Sequence, residues 1–235
     1  NKDMFVTASN FDTAPYNLPN LDKEVNSFSD YSDAIEREAL LRLLGRQLYK
    51  AFTEGLAALP GAYDEETATV INQEYVYGNK IWKALTMTTG VFPVAGADWE
   101  LVEINKWLEL KNGAEYDYGS KTWMWEGMVK LFTPYVYKCY LRDNIERFTG
   151  SAVVVPSNEN SQIVSPARLI SRAHNDYAER CGLLRGYPSG SYRWEQWCEL
   201  YSYEDTLYGF LTAKGNTVYP DWCFESPGFM NIAGI

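Results

Sequence analysis

The stretch DAIEREALLRLLGRQLYKAFTEGL, from Asp33 to Leu56, decides the fold class. Leu40, Leu41, Leu44, Leu48, Ala51 and Phe52 fall on one side of a helix, and Glu36, Glu38, Arg42, Arg46, Lys50 and Glu54 fall on the other. The pattern predicts a long amphipathic helix with its charged side in water. Gly45 interrupts it at a cost of about 0.5 to 1 kcal/mol relative to alanine, which predicts a close neighbour or a bend at that point.

Working outward, residues 1–30 contain two prolines, five asparagines and no sustained period. They read as an extended arm that needs something to lie against. On the other side, Asp64–Tyr77 and Ile81–Met87 read as weak helices separated by Gly78-Asn79, VFPVAGADW as a loop, and Glu100–Leu110 as a short helix. The segment EYDYGSKTWMW, Glu115–Trp125, alternates about Gly119-Ser120 and predicts an aromatic β-hairpin with positive φ at the first turn residue. Gly127–Thr149 is helical, with its apolar set moving from Met128, Leu131, Phe132, Tyr135, Val136, Cys139 and Tyr140 to Leu141, Ile145 and Phe148. Pro134 predicts a kink or a helix start there.

Ser165-Pro166 has the chemistry of a helix start, and the helix should run to about Leu184 with Ile170, Ala173, Tyr177, Cys181 and Leu184 in its stripe. A further helix is expected from Trp194 to about Ala213, followed by a Pro/Gly/Asn-rich tail. The expected fold is therefore mainly α: an irregular helical bundle with a small β-hairpin. It divides into an extended N-terminal arm at 1–30, a helical domain at 31–213 with the hairpin at 115–125, and a tail at 214–235.

Twenty-one basic against 31 acidic residues give a net charge of −10. Such a chain repels polyphosphate, which argues against sequence-specific nucleic-acid binding but suits a surface that lets DNA slide past. No apolar run approaches the roughly 18 residues of a membrane span, and no basic-then-apolar signal opens the chain, so the cytoplasm is the default address. Cys139, Cys181, Cys198 and Cys223 form no CxxC pair and are expected to be buried free thiols.

His174 is the sole histidine. It sits at the margin of a helical stripe, and a lone histidine without an oriented partner reads as structural. Carboxylate pairs such as Glu36/Glu38 and Glu65/Glu66 read as solvated helix faces. No phosphate loop, nucleophile elbow or zinc pattern occurs, so no catalytic residue, cofactor or metal is expected. The polar loop Pro156–Ser165 reads as turn-forming surface. Its Asn158, Glu159, Asn160 and Ser161, with Asn231, Gly234 and Ile235 of the tail, are the candidate protein-contact residues. Eight tryptophans, among them Trp123, Trp125, Trp194, Trp197 and Trp222, suit either subunit interfaces or sugar-stacking platforms.

Several stretches carry a resemblance as an ordered set: NLDKEVNSF, EREALLRLLGRQLYKAFTEGL, KWLELKNGAEYDYGSKTWMWEGM, YVYKCYLRDNIERFTG followed by VVVPSNENSQIVSPARLI, and YPDWCFESPGFMNIAGI. The chain resembles an uncharacterised family of Bacteroides phages and prophages whose members look like head-tail connector, or neck, proteins. That resemblance implies a non-enzymatic virion subunit, assembled in the bacterial host cytoplasm into a homo-oligomeric ring below the portal. The ring would be twelve-fold if it follows the portal, touch portal and tail proteins, and leave a DNA channel. Two features depart from the family pattern: Glu66–Trp99 is longer than expected, and His174 stands where a bulkier aromatic is expected. The alternative is a helical glycan-binding protein that uses surface Trp and Tyr residues.

Overall fold

A computed structural model describes residues 5–18, 26–148, 166–183, 201–225 and 227–228. Helix α1, Asn26–Ala57, is the amphipathic segment. It buries Leu40, Leu44, Leu48 and Phe52 as expected, adds Ala39 and Leu43, and leaves Leu41 and Ala51 half-buried. Each fully buried Leu or Phe stabilises the fold by about 1.5–3 kcal/mol.

Gly45 supplies both the bend and the neighbour. Its φ of 73° and ψ of 166° lie in a region open essentially to glycine alone. The broken helix frees carbonyls, and the C-terminal segment fills them: Cys223 N–H donates to Leu44 O at 3.4 Å and Glu225 N–H to Arg42 O at 3.1 Å. A methyl group on Gly45 would lie 3.2 Å from Cys223 Cβ and N.

Glu36 corrects the reading of the charged side. Its side chain is fully buried, and its two carboxylate oxygens accept the backbone N–H groups of Phe5 and Val6, each at 2.9 Å. A buried carboxylate is tolerable only with such donors. The helical period could not register them because they come from the N-terminal arm. That arm, with a 3-10 turn at Ala8–Phe11, lies on the chain's own core. Phe5 packs between Phe52 and Phe132 with ring centroids at 6.1 and 5.9 Å, and Val6 and Phe11 are buried.

The remaining described elements are β1 Glu74–Tyr77, β2 Lys80–Ala84, β3 Trp99–Ile104, α2 Lys106–Asn112, β4 Ala114–Tyr118, β5 Lys121–Trp125, α3 Met128–Phe148, α4 Pro166–Cys181 and α5 Leu207–Lys214. Helix α3 runs through Pro134, packs along α4 and also touches α1 and α2. Met128, Leu131, Phe132, Val136, Tyr177, Phe210 and Leu211 close the main core with α1.

The fold is mixed α/β, not a mainly α bundle: the described residues contain two antiparallel sheets, β1-β2-β3 and β4-β5, beside the helices. The hairpin β4-β5 was legible, and Gly119 takes the expected positive φ of 64°. The larger sheet was not. The segments EYVY and KIWKA, expected to be helical, are strands of four and five residues, and Gly78-Asn79, read as a break between helices, is the hairpin turn joining them. The helix expected at Glu100–Leu110 is half strand: Asn105 ends β3 and caps α2, accepting the Trp107 and Leu108 N–H groups. The helix expected from Trp194 begins, within the described residues, only at Leu207, where Thr206 caps it by accepting Gly209 N–H.

The larger sheet has its own small core of Trp82, Ala84 and Trp99, backed by Tyr63 and Tyr75. Its bond to the helical body is Asn79. The Asn79 side chain donates to Gly113 O at 2.6 Å and accepts from Asn112 Nδ2 at 3.1 Å, and its carbonyl accepts Asn105 N–H at 2.9 Å.

Candidate functional site

The contact residues expected from sequence, Asn158, Glu159, Asn160, Ser161, Asn231, Gly234 and Ile235, lie outside the described residues. His174 lies within them, on α4, and is buried. Its Nδ1 is 3.2 Å from Lys138 Nζ, and its Nε2 is 3.0 Å from Gly228 O. Lysine can only donate and a carbonyl can only accept, so the ring is neutral, with its proton on Nε2. Burial, and then the Lys138 charge, hold the imidazole below its ordinary 6.5. The same burial lowers Lys138.

Among the described residues no carboxylate is hydrogen-bonded to this ring; Asp176, two residues on, accepts from the Tyr16 hydroxyl. The arrangement clamps the tail at Gly228 to α3 and α4. Burial also pushes the thiols of Cys139 and Cys181 up, away from the thiolate that nucleophilic chemistry needs. Among the described residues no group of three or more His, Cys, Asp or Glu side chains is placed to hold a metal ion. Likewise, none of their helices is long and apolar enough to cross a membrane.

Two surface features remain. The first is the larger sheet. Of the thirteen large hydrophobic residues exposed in the described part of the chain, eleven lie between Val70 and Ile104, so the apolar surface is concentrated on this unit. Register explains how it is arranged. Tyr77, Lys80 and Ile104 form one cross-strand row, and Tyr75, Trp82 and Leu101 the next row on the same face. Pairing shifts between Ile81 and Trp82, leaving Val102 as the extra residue of a bulge, so Leu101 and Ile104 share a face although three positions apart.

Tyr63 and Phe92 cover part of that face, with Tyr77 5.7 Å from Phe92 and 6.0 Å from Tyr63. Phe92 remains 49% and Ile104 58% exposed, so the cover is incomplete. The opposite face carries Glu74, Lys83 and Glu100 in one row and Val76, Ile81 and Glu103 in the next. Between Gly61 and Ile104 seven carboxylates accompany two lysines. The unit is thus apolar on one side and acidic on the other.

The second feature is a shallow groove of about 440 Å³ between the β4-β5 hairpin and residues 201–204. Tyr118, Trp123, Tyr201 and Tyr203 line it with Ser120, Lys121, Ser202 and Glu204. Sequence reading offered Trp123 for subunit contacts or sugar stacking and counted surface tyrosines only as a class; Tyr118, Tyr201 and Tyr203 join it only through the fold.

Comparison with protein-family models, with curated proteins and with solved structures found no match.

Proposed function

We propose that this chain is a structural subunit of a phage neck, a head-tail connector that acts through contacts with copies of itself and with portal and tail proteins. The observation that carries the reading is the sheet unit at residues 61–104, which has a core of its own and still exposes eleven large apolar side chains. A monomer gains nothing from such a surface, whereas a subunit buries it against a neighbour. The net charge of −10 suits a wall along which DNA passes without adhering. The ordered resemblance to an uncharacterised Bacteroides phage and prophage family whose members look like connectors supports the same reading through the rest of the chain, since the sheet unit overlaps the region that departs from that family's pattern.

Imaging the purified protein by negative stain, alone and mixed with the portal of its own genome, tests the proposal. Rings, or rings formed on portal, are expected, and Ile104→Asp together with Phe92→Asp should abolish them without unfolding the chain. A protein that stays monomeric at high concentration and in the presence of portal would overturn it.

A further inference from the structure

We propose that the groove between the β4-β5 hairpin and residues 201–204 binds a neutral saccharide of one or two pyranose rings. The proposal is independent of the assembly reading, because it concerns a different surface. Sugar recognition needs an aromatic platform for the apolar face of a pyranose and a polar rim with both donors and acceptors for its hydroxyls. The groove has both. Trp123 lines it half-buried, with the Lys121 ammonium over its ring, 5.3 Å from the centroid, so a sugar stacks there by displacing the ammonium. Tyr118 and Tyr203 form one wall, stacked at 4.2 Å and 8° between planes. Lys121 supplies a donor at the rim, Glu204 an acceptor, and Ser120 a hydroxyl that does either.

The walls are held before any ligand arrives. The Tyr116 hydroxyl donates to Tyr203 O at 2.6 Å, and Met124 N–H donates to Asp205 Oδ1 at 2.7 Å, so hairpin and segment are joined at two points. Pre-set walls reduce the ordering cost of binding. Single-stranded nucleic acid also stacks on aromatic rings, but it requires a basic track, and here one lysine faces one glutamate on an acidic chain. Proline-rich peptides favour aromatic ridges with a pocket between them, whereas Tyr118 and Tyr203 are closed against each other.

Saturation-transfer NMR with maltose, cellobiose and N,N′-diacetylchitobiose at millimolar concentration tests the assignment, with a proline-rich decapeptide and a thymidine oligonucleotide as the non-sugar probes. Transfer to the ring protons of at least one disaccharide is expected. Trp123→Ala should weaken binding about tenfold or more, as truncation of a central aromatic anchor does, while Lys50→Ala on the exposed side of α1 leaves it unchanged. Should Trp123→Ala fail to fold by circular dichroism, the exposed rim variants Lys121→Ala and Glu204→Ala replace it with the same expectation. Absence of transfer to all three sugars, transfer that survives these variants, or binding of the peptide or oligonucleotide in place of the sugars would overturn the proposal.

Discussion

Cys223 donates its backbone N–H to the carbonyl of Leu44, one residue before the positive-φ Gly45 that breaks α1. Helix break and tail are therefore one structural unit, and Gly45→Ala attacks both parts of it. An alanine there takes on a glycine-only conformation and a methyl contact at 3.2 Å, for a loss of about 1–3 kcal/mol. Thermal unfolding should register the loss, and hydrogen exchange at Cys223 and Glu225 should accelerate with it. An unchanged melting temperature would contradict the account.

Glu36→Ala leaves the buried N–H groups of Phe5 and Val6 without their acceptors, and about 2–4 kcal/mol should be lost. Glu36→Gln retains one acceptor oxygen and should fall between the two. Urea midpoints check the order of the three proteins. Exchange at Phe5 and Val6 distinguishes release of the arm from general loosening.

Stability should fall on mild acidification, partly through His174. Its folded-state pKa lies below the ordinary 6.5, so the unfolded chain binds the proton more readily. The contribution is fully present above about pH 6.5 and is lost as pH falls through the folded-state value. Protonation also turns Nδ1 into a donor facing the Lys138 ammonium. In His174→Gln the urea midpoint should change less between about pH 7 and pH 5 than in the parent. An identical pH slope in both would remove His174 from the explanation.

Asn79→Ala removes both side-chain bonds between the larger sheet and the end of α2, and about 1–2 kcal/mol should be lost. The effect should be local. Exchange in β1 and β2 is expected to quicken more than in α3, while a uniform rise across the chain would contradict the attachment described above.

The parts of the fold legible in the sequence are those whose partners lie one helical turn or one hairpin away. Leu40, Leu44, Leu48 and Phe52 declare a face by spacing alone, and Gly119-Ser120 declares a turn because positive φ suits glycine. What stayed hidden depends on distant partners. Glu36 looks like any surface glutamate until Phe5 and Val6 arrive from 31 and 30 residues away. Tyr75, Trp82 and Trp99 form a core only once three strands have paired, and Asn105 both follows one element and caps the next. The surface features were obscured for the same reason: Tyr118 and Tyr203 become one wall only when the chain folds, and the bulge at Val102 reverses the alternation that would have put Ile104 on the acidic face.

The segment from Val218 to Gly228 meets three helices in turn. The Lys106 ammonium donates to Val218 O and the Tyr219 hydroxyl to Lys106 O on α2; Cys223 and Glu225 reach α1, and Gly228 reaches His174 on α4. On the ribosome these anchor points are made long before the strap that joins them. A nascent chain halted just short of Val218 would carry every described helix and leave the carbonyls of Arg42 and Leu44 to water, so one ribbon closes what those helices leave open.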